Sequence, residues 1–189
     1  MMAHHDEALD EMIKAQKMDP LSPIVNADLG VALISARRYE EAVKQLKKTI
    51  ELEARFTPAI WALGEAYRRQ GRYDEAIAHF QKALTASGEH PNWLGPLGLA
   101  YAEAGRKDEA RKTLSKLETA FQDHQNVSLI DIAAIHTVLG ETTQGLYYLE
   151  LAVDKHDPQA PWYRSDRAFK NLHKDPRFKE LLKKMGFTE

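Results

Sequence analysis

The 189-residue chain has no cysteine, which excludes disulfides, thiol nucleophiles and cysteine-held zinc. It has no apolar run near the roughly 18 residues that a spanning helix needs. No Gly-rich phosphate loop, G-x-S-x-G elbow or H-E-x-x-H pair occurs in it, so the common signatures of nucleotide, ester and metallopeptide chemistry are missing. The opening residues, MMAHHDEALDEM, are charged rather than apolar; no signal peptide is expected, and a cytoplasmic location is the default expectation. A net charge of −2 gives no general case for nucleic-acid binding. Lys170, Lys174, Arg177, Lys179, Lys183 and Lys184 crowd the C-terminus, and they are taken as a solvated helical face. Eight histidines are scattered along the chain without metal-ligand spacing. No catalytic residue, metal or cofactor is expected.

What the chain does have is a period. Gly30, Gly64 and Gly98 lie 34 residues apart, each preceded by leucine (Leu29, Leu63, Leu97) and followed three positions on by Leu33, Tyr67 or Tyr101. In the same phase come Arg37, Gly71 and Gly105, then Ala42, Ala76 and Ala110, then Leu46, Phe80 and Leu114. From Thr57 to His90 the pattern is clearest. Ile60, Leu63, Gly64 and Tyr67 share one helical face, and after the Gln70-Gly71-Arg72 turn Tyr73, Ala76, Ile77, Phe80, Ala83 and Leu84 form another, at the i, i+3, i+4, i+7 spacing of amphipathic helices. Gly71 suits a left-handed helix cap. Gly64 and Ala76 are small because the two helices are expected to cross closely there.

A 34-residue period with ALGEAYRRQGRYDEAIAHFQKAL (Ala62 to Leu84) closely resembles the tetratricopeptide repeat. The resemblance implies an all-α, right-handed superhelical solenoid of helix-turn-helix units with a C-terminal capping helix. The array is placed at residues 1–160: a half repeat at 6–22, then repeats at 23–56, 57–90, 91–124 and 126–158, the last degenerate with His136 in place of the repeat's tyrosine. Residues 161–189 form the cap. There Asp175 and Pro176 open a short helix as N-cap and first helical residue, and Phe178, Leu181, Leu182 and Met185 make its apolar face. Trp162, Tyr163, Phe169, Leu172 and Phe178 are expected to fold over the last repeat, or alternatively to enter the groove as an intramolecular inhibitor.

In such arrays the concave face is lined by positions two, five, nine and twelve of each first helix. The family pattern puts Ala27, Val31, Ile34, Trp61, Glu65, Arg68, Leu99, Ala102, Ile130 and Ala134 there, together with Ile24 and Thr137. This face is apolar, and apolar grooves are expected to be covered by an amphipathic helix or an extended segment. Trp61 is the anchor candidate, weighed evenly against packing. Arg68 and Arg69 beside Glu65 either orient an acidic terminus or, as the preferred reading, pair along the helix. The subclass that grips chaperone tails needs Lys, Asn and Arg where this chain has Ala27, Val31, Trp61, Glu65, Gly95 and Leu99, so that role is not expected.

At the N-terminus, Leu9, Met12 and Ile13 stand in a half repeat: either upstream sequence covers them, or they form a dimer contact, or their helix packs onto the first full repeat. AEAGRKDEARKTLSKLE, VSLIDIAAIHTVLGE, the Trp162 region and DPRFKELLKKMGF also resemble the tetratricopeptide tail of bacterial signalling proteins built on a nucleotide cyclase, a kinase or a winged-helix regulator. Two functions follow as expectations: a scaffold that binds a hydrophobic or amphipathic segment of a protein partner, or a regulatory array acting through intramolecular contacts or homodimerisation.

Overall fold

A computed structural model of the chain describes residues 2–155 and 166–185. Among these residues all regular structure is helical. The helices fall into two compact units, residues 1–93 and 94–189.

The first unit holds α1 (Met2–Met18), α2 (Pro23–Ser35), α3 (Tyr39–Leu52), α4 (Thr57–Arg69), α5 (Tyr73–Ala86) and a 3-10 turn, Pro91–Trp93. Each helix pair is antiparallel around a short turn, α2 with α3 and α4 with α5, and α2 also lies along α4. The reason for the close crossing is visible at Gly64. A Cβ there would stand 2.8 Å from the Phe80 ring and 3.3 Å from the Ala76 carbonyl oxygen, and Phe80 is 1% exposed. Gly64→Ala is therefore expected to destabilise the protein by about 1–3 kcal/mol through overpacking, read as a lowered thermal midpoint.

The turn residues follow from the same repeat logic. Gly71 (φ +77°), Gly105 (φ +76°) and Gly140 (φ +87°) occupy the left-handed region, and Arg37 takes it at φ +60° in the equivalent place. α2 begins at Pro23 behind Ser22, whose hydroxyl accepts from the Val25 amide at 3.4 Å. Asn26 is buried and fully engaged. Its Nδ2 donates to the Pro20 and Ser22 carbonyls at 3.0 and 2.8 Å, and its Oδ1 accepts from Gln16 and Gln45 at 3.1 and 2.6 Å. One amide thus joins α1, α2 and α3.

The second unit holds α6 (Leu94–Glu103), α7 (Lys107–Gln122), α8 (Leu129–Val138), α9 (Thr142–Asp154), a 3-10 segment Arg167–Lys174 and α10 (Pro176–Lys184). α6 packs on α7 and α8, α8 on α9 and on the 3-10 segment, and α10 on α9 and that segment. Asp175 caps α10, its Oδ1 accepting from the Arg177 amide at 2.9 Å. Phe169, Leu172, Phe178 and Leu181 are buried, as a capping segment requires. Trp162 and Tyr163, expected in the same cap, lie outside the described residues.

Candidate functional site

In the first unit α4 carries Trp61, half-buried, with Trp93 set edge-on to it: ring centroids 6.3 Å apart, planes at 67°. That geometry suits the quadrupoles of two aromatic rings. On α2, which packs against α4, Ile24 is 62% and Val31 40% exposed, and Ile34 is half-buried. One turn beyond Trp61, Glu65 receives the fork of Arg68, Nε and Nη2 each 2.8 Å from a carboxylate oxygen, and Arg69 Nε at 2.6 Å. Burial pushes the Glu65 carboxyl up, but the two guanidiniums outweigh it and hold it down at about 2. The preferred expectation for this cluster, pairing along the helix, describes what these side chains do. Arg68 is 3% exposed and turned into the fold, so it offers little to a ligand.

Other parts of the expected face are corrected by burial. Ala27 is covered in the first unit, and in the second Leu99, Ala102, Ala134 and Thr137 all fall below 8% exposure. Ile130 remains half-buried. The physical reason is that α6 and α8 are covered nearly all round, the condition that makes a helix apolar on every side. Position twelve turns toward the second helix: the Thr137 hydroxyl donates to Ala133 O at 2.8 Å and stands where a Cβ on Gly145 would go. Gly95 is small for a similar reason, since the Asp131 carboxylate occupies the place of its missing Cβ.

At the N-terminal edge the three expected residues differ in exposure. Leu9 is 3% exposed, Met12 and Ile13 are half-buried, and α1 packs on α2. Packing onto the first full repeat, one of the three expectations for this helix, is present within the chain, and it buries Leu9. The exposed apolar residues there are Met18 and Leu21, at 87% and 72%, which the helical period did not single out because they lie at the end of α1 and in the turn. Nor does that period mark Trp93, which lies in the 3-10 turn before α6. Among the C-terminal basic residues, Arg167 pairs with Glu103 at 3.2 Å, Arg177 with Asp175 at 2.8 Å and Lys184 with Glu150 at 3.4 Å.

Among the described residues no group of three or more His, Cys, Asp or Glu is placed to hold a metal ion, and no helix is long and apolar enough to cross a membrane.

Profiles of the tetratricopeptide repeat match residues 2–56 and 67–130, more than half of the chain between them. The chain belongs to the tetratricopeptide-repeat (TPR) family. A curated TPR relative, small glutamine-rich tetratricopeptide repeat-containing protein 2 of Mycosarcoma maydis, is 38% identical over 52 residues. That match takes in 28% of this chain and 15% of the relative's length. Among solved structures, a thermophilic TPR protein of Thermus thermophilus is similar with a TM-score of 0.69 at 20% identity, over 98% of this chain and 92% of that one. YrrB, a TPR protein with an unusual peptide-binding site, is similar with a TM-score of 0.52 at 21% identity, over 92% and 89% of the two chains. At these identities the likeness is one of fold, an all-α TPR fold.

Proposed function

We propose that this TPR protein is a non-enzymatic interaction scaffold whose first unit takes a hydrophobic or amphipathic peptide segment of a protein partner. The observation that carries the reading is the half-buried Trp61–Trp93 pair on the unit that also presents exposed Val31 and Ile24. Rigid aromatic surface of this kind binds with little loss of side-chain entropy. The Glu65 cluster beside it is already internally neutralised in part, which favours an apolar ligand over a charged terminus. That YrrB has a peptide-binding site on a similar fold adds support by analogy.

The test is selection of amphipathic helical peptides from a displayed library on the full chain, followed by titration of the binders against Trp61→Glu and Val31→Glu. Trp61→Glu is expected to weaken binding by about 30-fold or more, the hot-spot range of roughly 2 kcal/mol, with the helical circular dichroism unchanged. Binders indifferent to both changes would place recognition elsewhere.

A second reading is favoured by one observation in the other unit, where the 3-10 segment packs on α8. A regulatory array of a larger bacterial signalling protein would use such intramolecular coverage, and truncation before Arg167 would then change the output of an attached domain or the oligomeric state.

A further inference from the structure

Repeats two, three and four carry a pair of side chains five residues apart that joins the end of the first helix to the start of the second. In repeats two and three the pair is aromatic and cationic: the Arg72 guanidinium lies 4.4 Å from the centre of the Tyr67 ring, and that of Arg106 lies 4.9 Å from Tyr101. In repeat four the corresponding residues are His136 and Glu141, and the polarity is reversed. The ring partner has been exchanged as well. Tyr67 meets His79 at a tilt, centroids 5.4 Å apart and planes at 52°, whereas His136 stacks on Tyr148 at 5.5 Å with planes 13° apart.

His136 is 5% exposed, and both of its ring nitrogens meet a carboxylate. Nδ1 is 2.7 Å from Glu141 Oε2, and Nε2 is 3.1 Å from Glu118 Oε1. A neutral imidazole has one N–H and one lone pair, so one of these contacts would set a lone pair against an anionic oxygen. Only the doubly protonated ring donates to both. The surroundings agree: from α7 Arg111 reaches Glu141 at 2.7 Å, and from α9 the Tyr148 hydroxyl donates to Glu118 at 3.3 Å. Glu141 is held below the usual carboxylate range; burial opposes this, but Arg111 and His136 outweigh it. Burial and the Glu118 charge push Tyr148 up to about 12, so its hydroxyl stays a donor. The other elements packed on α8 bring Glu103 from α6 and Arg167 from the 3-10 segment, and these two pair with each other; Lys170, His173 and Lys174 of that segment are exposed. His136 also lies in the last turn of α8, where a cation suits the helix dipole.

We infer that His136 is a proton-dependent clamp, an imidazolium that ties α7, α8 and the start of α9 together and lets go when it loses its proton. The corresponding arginine pairs of repeats two and three stay charged throughout the physiological range, so among these three pairs the one in repeat four alone changes charge there. Histidine is the side chain that changes charge between about pH 5 and 8. The sign follows from the partners: both contacts are made by the charged ring, so the tie is present at low pH and lost as pH rises.

The test uses the full chain labelled with 15N. Long-range spectra of the His136 ring are expected to show both nitrogens protonated at mildly acidic pH. Loss of that proton at higher pH should shift the amides around Glu118, Glu141 and Tyr148 together. The variant His136→Tyr/Glu141→Arg rebuilds the pair of repeats two and three. Between about pH 5.5 and 8 the wild-type melting temperature is expected to fall by roughly 3 °C relative to that variant. A ring with one bare nitrogen across the whole range, or melting temperatures that run parallel with pH, would overturn the inference. If the double variant does not fold, the ring spectrum of the wild type decides the matter.

Discussion

Glu65→Ala is expected to cost about 3–5 kcal/mol of stability, the loss typical of breaking a buried ion pair from one side. The reason is what remains. Arg68, 3% exposed, would keep a guanidinium in the interior after losing both oxygens of its fork, and Arg69 would lose its 2.6 Å partner. Glu65→Gln separates charge from shape, since the amide fills the same space and still accepts one bond while offering the arginines no anion. The pH dependence has a definite sign. In the unfolded chain the carboxyl titrates near 4.5 and in the fold at about 2, so its contribution is complete above the higher value and drains away as pH falls toward the lower one. Over that window the linkage is worth on the order of 3 kcal/mol. Denaturant unfolding at a series of acidic pH values should show wild type losing stability faster than Glu65→Gln. Parallel curves would mean that the carboxylate gains nothing from its arginines.

Phe178→Ala is expected to cost a comparable amount, about 3–5 kcal/mol, from lost transfer energy and the cavity left behind. Phe178 is fully buried, its ring 5.2 Å from that of His173. Its helix touches both α9 and the 3-10 segment. The change should therefore appear locally as well as globally, with amide-exchange protection falling first in α9 and the 3-10 segment. A loss below about 1 kcal/mol, with protection unchanged in α9, would show α10 to be a detachable tail instead of part of the unit's core.

How far such details were readable in advance depended on the range of the interaction that fixes them. Gly64 and Gly71 were legible because their constraints are local, a close helix crossing and a left-handed turn. The N-cap at Asp175 was legible for the same reason. Val31 and Leu99 hold the same place in their repeats, yet one is 40% exposed and the other 5%. No local pattern separates them. The role of Trp93 was hidden because the period stays in phase while the first helix of the third repeat starts late. Pro96 lacks an N–H and is tolerated only in a first turn, so α6 starts at Leu94 and the residues before it form a 3-10 turn. That turn carries the second indole to Trp61. His136 was legible as a departure from the repeat, but its two carboxylates come from residues 118 and 141, on either side of its own helix.

The edge-to-face indoles at 6.3 Å have an optical consequence. The chain has three tryptophans, and two of them are close enough for their excited states to couple and to give a signal in near-ultraviolet circular dichroism that depends on their mutual angle. A guest that wedges against Trp61 would rotate or screen one ring, and that signal would change without any dye or tag. Trp93→Phe would abolish the coupling and leave Trp61 and Trp162 as the remaining indoles, so loss of the coupled signal in that variant would tie it to the pair, and the unmodified protein carries its own gauge of occupancy.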